Sequence, residues 1–437
     1  TSYKLNDNLT DTGNVDVIGN VKNSTLAAVL NYKWKVSEND VLKAYIDYYQ
    51  QNSNDFKNAE ITYQNGIYDN NQNNYDSNAK TEVIALQIDY NKVLSNNSNI
   101  DFGIKYTGTN RFSDLIVQDL IVTDFIEDTD QTTDINVSEG ISATYVSADK
   151  KIGKKNYLKA GVRMEYTNVN KTNFINDTII KQAYINLFPS VFILRNLTEN
   201  QSLSVSYSRS LQRPSFYLLN DNIEKVNDFQ YYIGNPNLNP EFTDKYAFDY
   251  KINTHNISAF FKSTQDKITE IYTIKDEIAY FETVNLGAQK RYGVEYGYKN
   301  NITKWWFLSA STYLYNESYV DEQGHSSFLM TTYGGSIFNK LTINKTTSLD
   351  ISGFYMSPSA SAFYVSYETY SMNLALNKTL INKKLNLRLD LYDIFNTFSY
   401  RTLREFETFK AYYRSEPNRR AINIKLTYNI SNNKKVT

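Results

Sequence analysis

The feature that most constrains the fold is an alternation of apolar and polar residues that recurs along the chain. The stretch KLNLRLDLYDIFN shows it clearly, with leucines at every second position: Leu385, Leu387, Leu389 and Leu391. A period of two places neighbouring side chains on opposite faces of a β-strand. About 17 such segments, each roughly 9–14 residues long, follow one another without a helical stripe between them. The sequence therefore predicts an all-β fold.

The composition excludes several classes of protein. The formal net charge of −1, from 46 basic and 47 acidic residues, argues against a nucleic-acid partner. The absence of cysteine excludes disulfide frameworks and thiolate metal sites. Mean hydropathy is −0.53. The sequence contains no run of about 18 apolar residues, so no membrane-spanning helix is predicted. The 38 tyrosines and 23 phenylalanines are unusual in so polar a chain and call for an explanation.

The predicted connections between strands are of two kinds that alternate along the chain. Short polar turns are expected at residues 37–40 (SEND), 95–99 (SNNSN), 153–156 (GKKN), 198–201 (TENQ), 344–346 (NKT) and 382–384 (NKK). Long connections are expected at 51–79, 110–133, 167–179, 211–243, 264–288 and 397–418. In an up-and-down meander this alternation puts every short turn at one end and every long loop at the other.

Segregated loop lengths favour a transmembrane β-barrel over a soluble sandwich, which has no reason to sort its loops. We predict an antiparallel up-and-down barrel in the bacterial outer membrane, with long loops extracellular and short turns periplasmic. Membrane barrels carry aromatic girdles at both interfaces, which explains the tyrosine excess. Candidate girdle residues at strand ends are Tyr48, Tyr90, Tyr166, Tyr207 and Tyr428. The leucines quoted above should face lipid, and the predicted lumen wall comprises Lys159, Arg163, Glu165, Arg388, Asp390 and Lys425.

Four motifs, in this order, carry a family resemblance. They are YINLFPSVFILRNL (184–197), SLSVSYSRSLQRPSFYLLND (202–221), GNPNLNPEF (234–242) and LDLYDIFN (389–396). The chain resembles the C-terminal barrel portion of TonB-dependent outer-membrane receptors, in the outer-membrane β-barrel branch. This resemblance implies energised uptake of a nutrient of siderophore, peptide or glycan class, a 22-stranded barrel, an N-terminal plug and a TonB-type energising complex as partner. It implies no cofactor.

The predicted domain organisation departs from that family pattern. We assign residues 1–23 to the end of an upstream outer loop or strand, 24–430 to the barrel and 431–437 to a polar tail. No plug domain or TonB box precedes the first strand. An odd number of antiparallel strands cannot close with both chain ends on one side, so about five strands are expected upstream of this chain.

Candidate binding residues lie in the predicted outer loops. Arg213 could contact an acidic ligand, pair with Glu241, or form a salt bridge in the lumen wall. Aromatic and amide groups near the mouth suit amphiphilic or peptidic ligands. Including the arginine, the candidates are Arg213, Tyr217, Tyr231, Tyr232, Asn235, Tyr68 and Tyr75.

An acidic loop and two histidines are the remaining chemical features. Oxygen-rich loops can hold Ca²⁺, but this loop does not have EF-hand spacing, and its pattern favours a solvated acidic loop over a Ca²⁺ site. Its acidic residues are Asp124, Glu127, Asp128 and Asp130. The histidines, His255 in a short turn and His325 in an outer loop, are not placed as a catalytic base, so the chain is not expected to be an enzyme. The alternative functions are a passive pore and a structural barrel in a larger envelope complex, and a surface lipoprotein is a further candidate partner.

Overall fold

A computed structural model describes most of the chain. The described residues are 2–5, 8–64, 69–95, 97–220, 223–227, 230–275, 278–320, 326–360, 364–381, 384–405, 410–415, 417 and 419–430. Tyr68 and His325 lie outside them. Within them, no helix is long and apolar enough to cross a membrane.

The described residues are overwhelmingly β-strand. The first nine strands are β1 (Ser2–Leu5), β2 (Asn8–Lys35), β3 (Asp40–Tyr63), β4 (Asn71–Ser95), β5 (Ser98–Ile121), β6 (Asp124–Glu127), β7 (Thr133–Ile152), β8 (Asn156–Asn173) and β9 (Thr178–Thr198). The next nine are β10 (Gln201–Gln212), β11 (Ile223–Asn227), β12 (Gln230–Ile233), β13 (Glu241–Ile252), β14 (His255–Gln265), β15 (Ile268–Lys275), β16 (Ile278–Asn285), β17 (Ala288–Asn301) and β18 (Trp306–Val320). The last nine are β19 (Ser326–Asn344), β20 (Thr347–Met356), β21 (Ser359–Ala360), β22 (Tyr364–Ser366), β23 (Thr369–Leu380), β24 (Leu385–Tyr392), β25 (Tyr400–Glu405), β26 (Lys410–Ser415) and β27 (Ala421–Tyr428). A 3₁₀ turn spans Phe216–Leu219.

A single large antiparallel sheet forms the wall of the molecule. In the described part of the chain it has 19 strands, and without the short strands β1 and β6 it has 17, as the sequence pattern predicts. Each wall strand pairs with the next one along the chain: β2, β3, β4, β5, β7, β8, β9, β10, β13, β14, β17, β18, β19, β20, β23, β24 and β27. The all-β, antiparallel up-and-down prediction is confirmed.

Short turns lie at one end of this sheet, as predicted. In the turn between β2 and β3, the Ser37 hydroxyl donates to the Asp40 carboxylate at 2.8 Å and accepts the Asn39 backbone N–H at 3.1 Å. Gly153 takes a φ of 65° in the turn between β7 and β8, a conformation that glycine adopts without steric cost. These local bonds explain why so few residues suffice to reverse the chain at this end.

The connections at the other end differ from their predicted boundaries. The expected loops 51–79 and 110–133 are largely strand, because β3 runs to Tyr63, β4 begins at Asn71 and β5 runs to Ile121. The expected loop 167–179 shrinks to residues 174–177. The alternating pattern fades in these extensions because a strand beyond the membrane has water on its outer face and needs no apolar side chains there. The sequence rule thus detected the membrane-spanning parts of the strands and missed their extensions.

Four of the longer connections form two small sheets, with two connections in each sheet. The first loop sheet contains β11, β12, β15 and β16, from the connections that follow β10 and β14. The second loop sheet contains β21, β22, β25 and β26, from the connections that follow β20 and β24. Residues of the first loop sheet share a cavity with β3, β4, β5 and β7. We call the wall face that lines this cavity the inner face.

Strand register extends the two faces across the whole wall. Arg388 and Asp390 pair opposite Lys425 and Asn423, on the inner face, while Leu389 pairs opposite Ile424 on the outer face. The other predicted wall residues, Lys159, Arg163 and Glu165, alternate on the inner face of β8 with outer-face apolar residues. The outer face also carries rows of rings, such as Tyr333, Tyr355 and Tyr370, spaced 6.0 and 6.3 Å apart. Such rows are typical of an aromatic girdle.

Candidate functional site

The candidate site is a cavity of about 660 Å³ at the long-loop end of the inner face. One side is the wall, from β3 to β7, and the other is the segment 213–240 with the first loop sheet. Its lining includes Asp55, Lys57, Asn73, Tyr75, Gln131, Phe216, Tyr217, Glu224, Tyr232 and Glu270. Three predicted binding residues, Tyr75, Tyr217 and Tyr232, therefore line one space. Concave sites with aromatic walls and a few polar groups are the usual form of a ligand-binding site.

Arg213 fixes the start of the segment 213–240 to the wall. Its Nε lies 3.1 Å from the Glu139 carboxylate, and its Nη2 donates to Glu165 at 3.0 Å and to the Thr167 hydroxyl at 2.9 Å. Thr167 is fully buried. Of the three roles considered for Arg213, the structure shows the salt bridge to the wall. The suggested pairing with Glu241 is wrong, because Glu241 accepts bonds from the Lys267 amine at 2.9 Å and the Ile268 backbone N–H at 3.0 Å.

The motif GNPNLNPEF holds the other end of this segment. The Asn235 side chain accepts the Asn237 backbone N–H at 2.9 Å within the motif and donates to the Thr283 carbonyl of β16 at 3.1 Å. Leu238 is 2% exposed. A Cβ on Gly234 would lie 1.7 Å from the Asn220 carbonyl oxygen, so only glycine fits there. The buried Lys171 amine donates to the Pro236 carbonyl. The motif is thus a structural clamp, which agrees with its predicted role in shaping the return to the next strand.

The first loop sheet is held together by aromatic packing. Tyr231 stacks on Tyr280 with ring centres 5.4 Å apart, and Tyr232 packs on Phe281 at 5.2 Å. Phe281 is 2% exposed and forms the centre of a small hydrophobic cluster. The two predicted tyrosines therefore lie on opposite faces of one strand. Tyr232 faces the cavity, whereas Tyr231 supports the sheet from the other side.

The cavity carries charges of both signs. The Lys57 amine pairs with the Asp55 carboxylate at 2.6 Å on the wall. Across the space, Glu224 lies in β11 directly opposite Tyr232 in β12. Burial raises the pKa of Glu224, and Lys57 acts against that rise. Burial also raises the pKa of the Tyr75 phenol, so that this group stays neutral and can donate a hydrogen bond at physiological pH.

Ion pairs form a network along the inner face further from the mouth. The Arg388 guanidinium donates to Asp350 at 2.9 Å and to Asp390 at 2.8 Å. In a separate cluster on β8, Arg163 pairs with Glu165 at 2.7 Å, and Glu165 also binds Arg213. Four of the predicted wall residues thus take part in described ion pairs.

The predicted acidic loop is arranged for a tight turn. Asp128 accepts bonds from the Asp130 and Gln131 backbone N–H groups at 2.9 and 3.2 Å, and from the Gln131 side chain at 2.5 Å. Asp124 and Glu127 belong to β6. No group of three or more acidic or histidine side chains within the described ranges is placed to hold a metal ion. His255 contacts the Tyr296 hydroxyl at 2.8 Å, at the short-turn end.

Several residues of the site had no signal in the sequence. Glu139, Lys171, Glu224 and Glu270 stand alone in unremarkable strand patterns. The residues that bind Glu139, Lys171 and Glu270 are at least 65 positions away along the chain. Only the three-dimensional arrangement of the loops brings them together. The sequence features that indicated this region were the Tyr231–Tyr232 pair and the RPS motif at 213–215.

Comparisons with known proteins agree with the fold. The model of the outer membrane protein beta-barrel family matches residues 34–428. No curated protein matches the chain by sequence.

Solved structures with the same fold include receptors and a transporter. The ferric-catecholate import receptor Fiu from Escherichia coli K12, in its closed form, matches with a TM-score of 0.65 and 12% identity, over 93% of this chain and 64% of that one. The siderophore receptor PiuA from Acinetobacter baumannii matches with a TM-score of 0.61 and 12% identity, over 96% and 80%. The ferric citrate transporter FecA, unliganded, matches with a TM-score of 0.60 and 13% identity, over 93% and 70%. This chain spans less than two thirds of the length of Fiu. Because the family model matches most of its residues, the chain belongs to the outer membrane protein β-barrel family.

Proposed function

We propose that this chain is the transmembrane barrel of a receptor that takes up a scarce nutrient across the outer membrane, energised by a TonB-type complex. The observation that carries the proposal is the covered cavity, in which folded loops and the wall enclose aromatic, amide and charged groups. A passive pore has no need of loops that fold over its mouth. The printed names of Fiu, PiuA and FecA, which are receptors and a transporter, support the same role.

The rest of the receptor is part of the proposal. Within the described residues, β2 pairs with β3 and β1 only, and β27 with β24 only, so both outer strands of the wall have an open edge. Open edges are not tolerated in hydrocarbon, where each unpaired amide costs several kcal/mol. We infer that strands upstream of this chain close the barrel, about five of them in a 22-stranded barrel. An upstream plug would pack against the charged inner face.

The residues at the mouth support proposals for the substrate and for a further partner. A siderophore, a peptide and a glycan are the candidate substrates for the cavity. The second loop sheet exposes Tyr412 and Tyr413, at 54% and 62%, on its edge strand β26. This edge is where we place a surface lipoprotein partner, if the receptor works with one.

The orientation of the loops gives one prediction. Protease sites inserted at residues 122–132 should be cut on intact cells, because Val122 is 93% exposed at the long-loop end. The same site inserted at 153–155, in a short turn, should be cut only after the outer membrane is opened. Western blots of the fragments provide the measurement. Equal cutting at both positions on intact cells would contradict an extracellular position of the long loops.

Conductance gives the test of the transport proposal. In planar bilayers the full-length protein should show little steady current, because a plug fills its lumen, and deletion of the plug should open a large channel. Mixed charges on the inner face predict weak ion selectivity for that channel. A constitutive channel in the full-length protein would favour the passive pore instead.

A further inference from the structure

The side chain of Arg404, in β25 of the second loop sheet, reaches into a cage built mainly by the first loop sheet. Its guanidinium carbon lies 4.3 Å from the ring centre of Phe281, 5.8 Å from Tyr232 and 5.9 Å from Tyr364. Its Nη2 donates to the Tyr232 hydroxyl at 2.9 Å and to the Glu270 carboxylate at 3.2 Å. Three aromatic rings and a carboxylate thus surround one positive charge.

Most of the cage belongs to the first loop sheet and does not depend on the residue that occupies it. Phe281 and Ala279 are buried in that sheet, where Tyr272 also packs on Phe281 at 6.4 Å. Tyr232 and Glu270 lie on the two strands that flank Phe281. Removal of Arg404 would leave these groups in place, whereas Tyr364 would move with the second loop sheet.

The cage opens into the cavity. Tyr232 and Glu270 are members of both, and Glu224, opposite Tyr232 on the next strand, adds a second carboxylate to the same side. Rings combined with carboxylates are the chemistry by which proteins bind guanidinium and ammonium groups. A ligand in the cavity could reach the cage with a positively charged group.

The position of Arg404 also makes it a connection between the loops. The first and second loop sheets are separate in backbone pairing, and Arg404 joins them through a side chain that is 20% exposed. A cation that replaced this guanidinium would release the second loop sheet from the first. The mouth of the cavity would then be free to open.

We propose that this cage is a subsite for a guanidinium or ammonium group of the imported ligand, as in a basic peptide, and that Arg404 occupies it in the unliganded state. The inference rests on the proposed function, since it names the substrate class of the same cavity. It assigns Arg404 as a positioning residue that mimics the ligand. Ligand entry and loop release are then one exchange of cations.

Competition by small cations in the full-length receptor tests the proposal. Spin labels at Lys275 in β15 and Tyr413 in β26, both exposed, report the separation of the loop sheets by pulsed electron resonance. In Arg404→Ala the distance distribution should widen. In the protein that retains Arg404, millimolar methylguanidinium or methylammonium should displace the guanidinium from the cage and widen the distribution in the same way. Methylurea, similar in shape and neutral, should have no effect. Comparison of the two cations shows which group the cage prefers.

Two controls make the result specific. Arg401→Ala is the matched variant: Arg401 lies on the same strand as Arg404, but it pairs with Glu368 and packs on the Tyr367 ring on its own side of the mouth. It should leave the separation unchanged and should still respond to methylguanidinium. Arg404→Ala should not widen further with methylguanidinium, because the connection that the cation displaces is already absent.

The outcomes are decisive in both directions. An unchanged separation in Arg404→Ala, or a response to methylurea equal to that of the cations, would overturn the proposal. Resistance of the barrel to unfolding in detergent on heating verifies that each variant is folded. If Arg404→Ala fails this check, Glu270→Gln alone, with Arg404 retained, should still widen the distribution, and an unchanged one would overturn the proposal. Neither measurement depends on ion flow, so failure here would leave the transport proposal standing.

Discussion

Replacement of Arg213 by alanine is expected to lower the local stability of the segment 213–240 by about 3 kcal/mol. The guanidinium is 24% exposed and its partners Glu139 and Glu165 are 15% and 12% exposed. Breaking such a cluster from one side leaves partly buried carboxylates without their cation, which costs more than the net value of the pair. Glu165 keeps Arg163 as a partner, whereas Glu139 loses the only cation described beside it.

Hydrogen exchange measured by mass spectrometry reads this effect directly. Amides of residues 230–240 should exchange about 100-fold faster in Arg213→Ala, the factor that corresponds to the predicted loss. Arg209→Ala is the control, because Arg209 lies on the preceding strand and reaches Asp244 only at 3.9 Å, with 35% exposure. In Arg209→Ala, the change in amide exchange rates should correspond to less than about 1 kcal/mol of local stability. Equal effects of the two substitutions would show that Arg213 does not anchor the segment.

Leu389→Arg should destabilise the barrel by about 2–4 kcal/mol, the cost of an arginine on the lipid face near the bilayer midplane. Leu389 lies in β24 between Leu376 and Ile424, all on the outer face. Among the described residues, the two that pair opposite Leu389 are apolar and offer the guanidinium no hydrogen bond. The measurement is the free energy of unfolding in lipid vesicles, from a urea titration followed by tryptophan fluorescence.

Asn423→Arg is the matched control for this substitution. Asn423 lies at almost the same depth on the neighbouring strand, on the inner face, where it pairs opposite Asp390. The new arginine would face a carboxylate and water, so the change should stay below about 1 kcal/mol. If both substitutions cost the same, the assignment of the two faces is wrong.

The sequence predicts the wall well because the physics of the wall is local. Alternation in segments such as Leu385–Tyr392 requires only that one face contact lipid and the other water, and the period of two encodes that directly. The 17 wall strands, their order and the short turns all follow from this pattern. The same alternation predicts lumen residues such as Arg388 without reference to their ion-pair partners.

The mouth of the molecule could not be predicted in the same way. The strands of the loop sheets are short, and β12 pairs parallel to β16, about 50 residues further along the chain, a contact that no local pattern encodes. The partners of Arg213 lie on β7 and β8, whereas Glu241, the carboxylate suggested as its partner from the sequence, binds Lys267. Arg404 and its cage come from different connections. Long-range contacts of single residues decide this region.

A scan of β27 tests the central claim, that this sheet is the wall of a membrane barrel, most directly. All residues of β27 are exposed, including Ile422 at 71%, Ile424 at 65% and Leu426 at 66%, so labels fit at every position. Spin labels placed singly from 422 to 426 in the full-length protein in vesicles report access of oxygen, which dissolves in lipid, and of a water-soluble nickel chelate. We expect high oxygen access at 422, 424 and 426 and low access at 423 and 425. Equal oxygen access at all five positions, or the reverse alternation, would contradict the barrel.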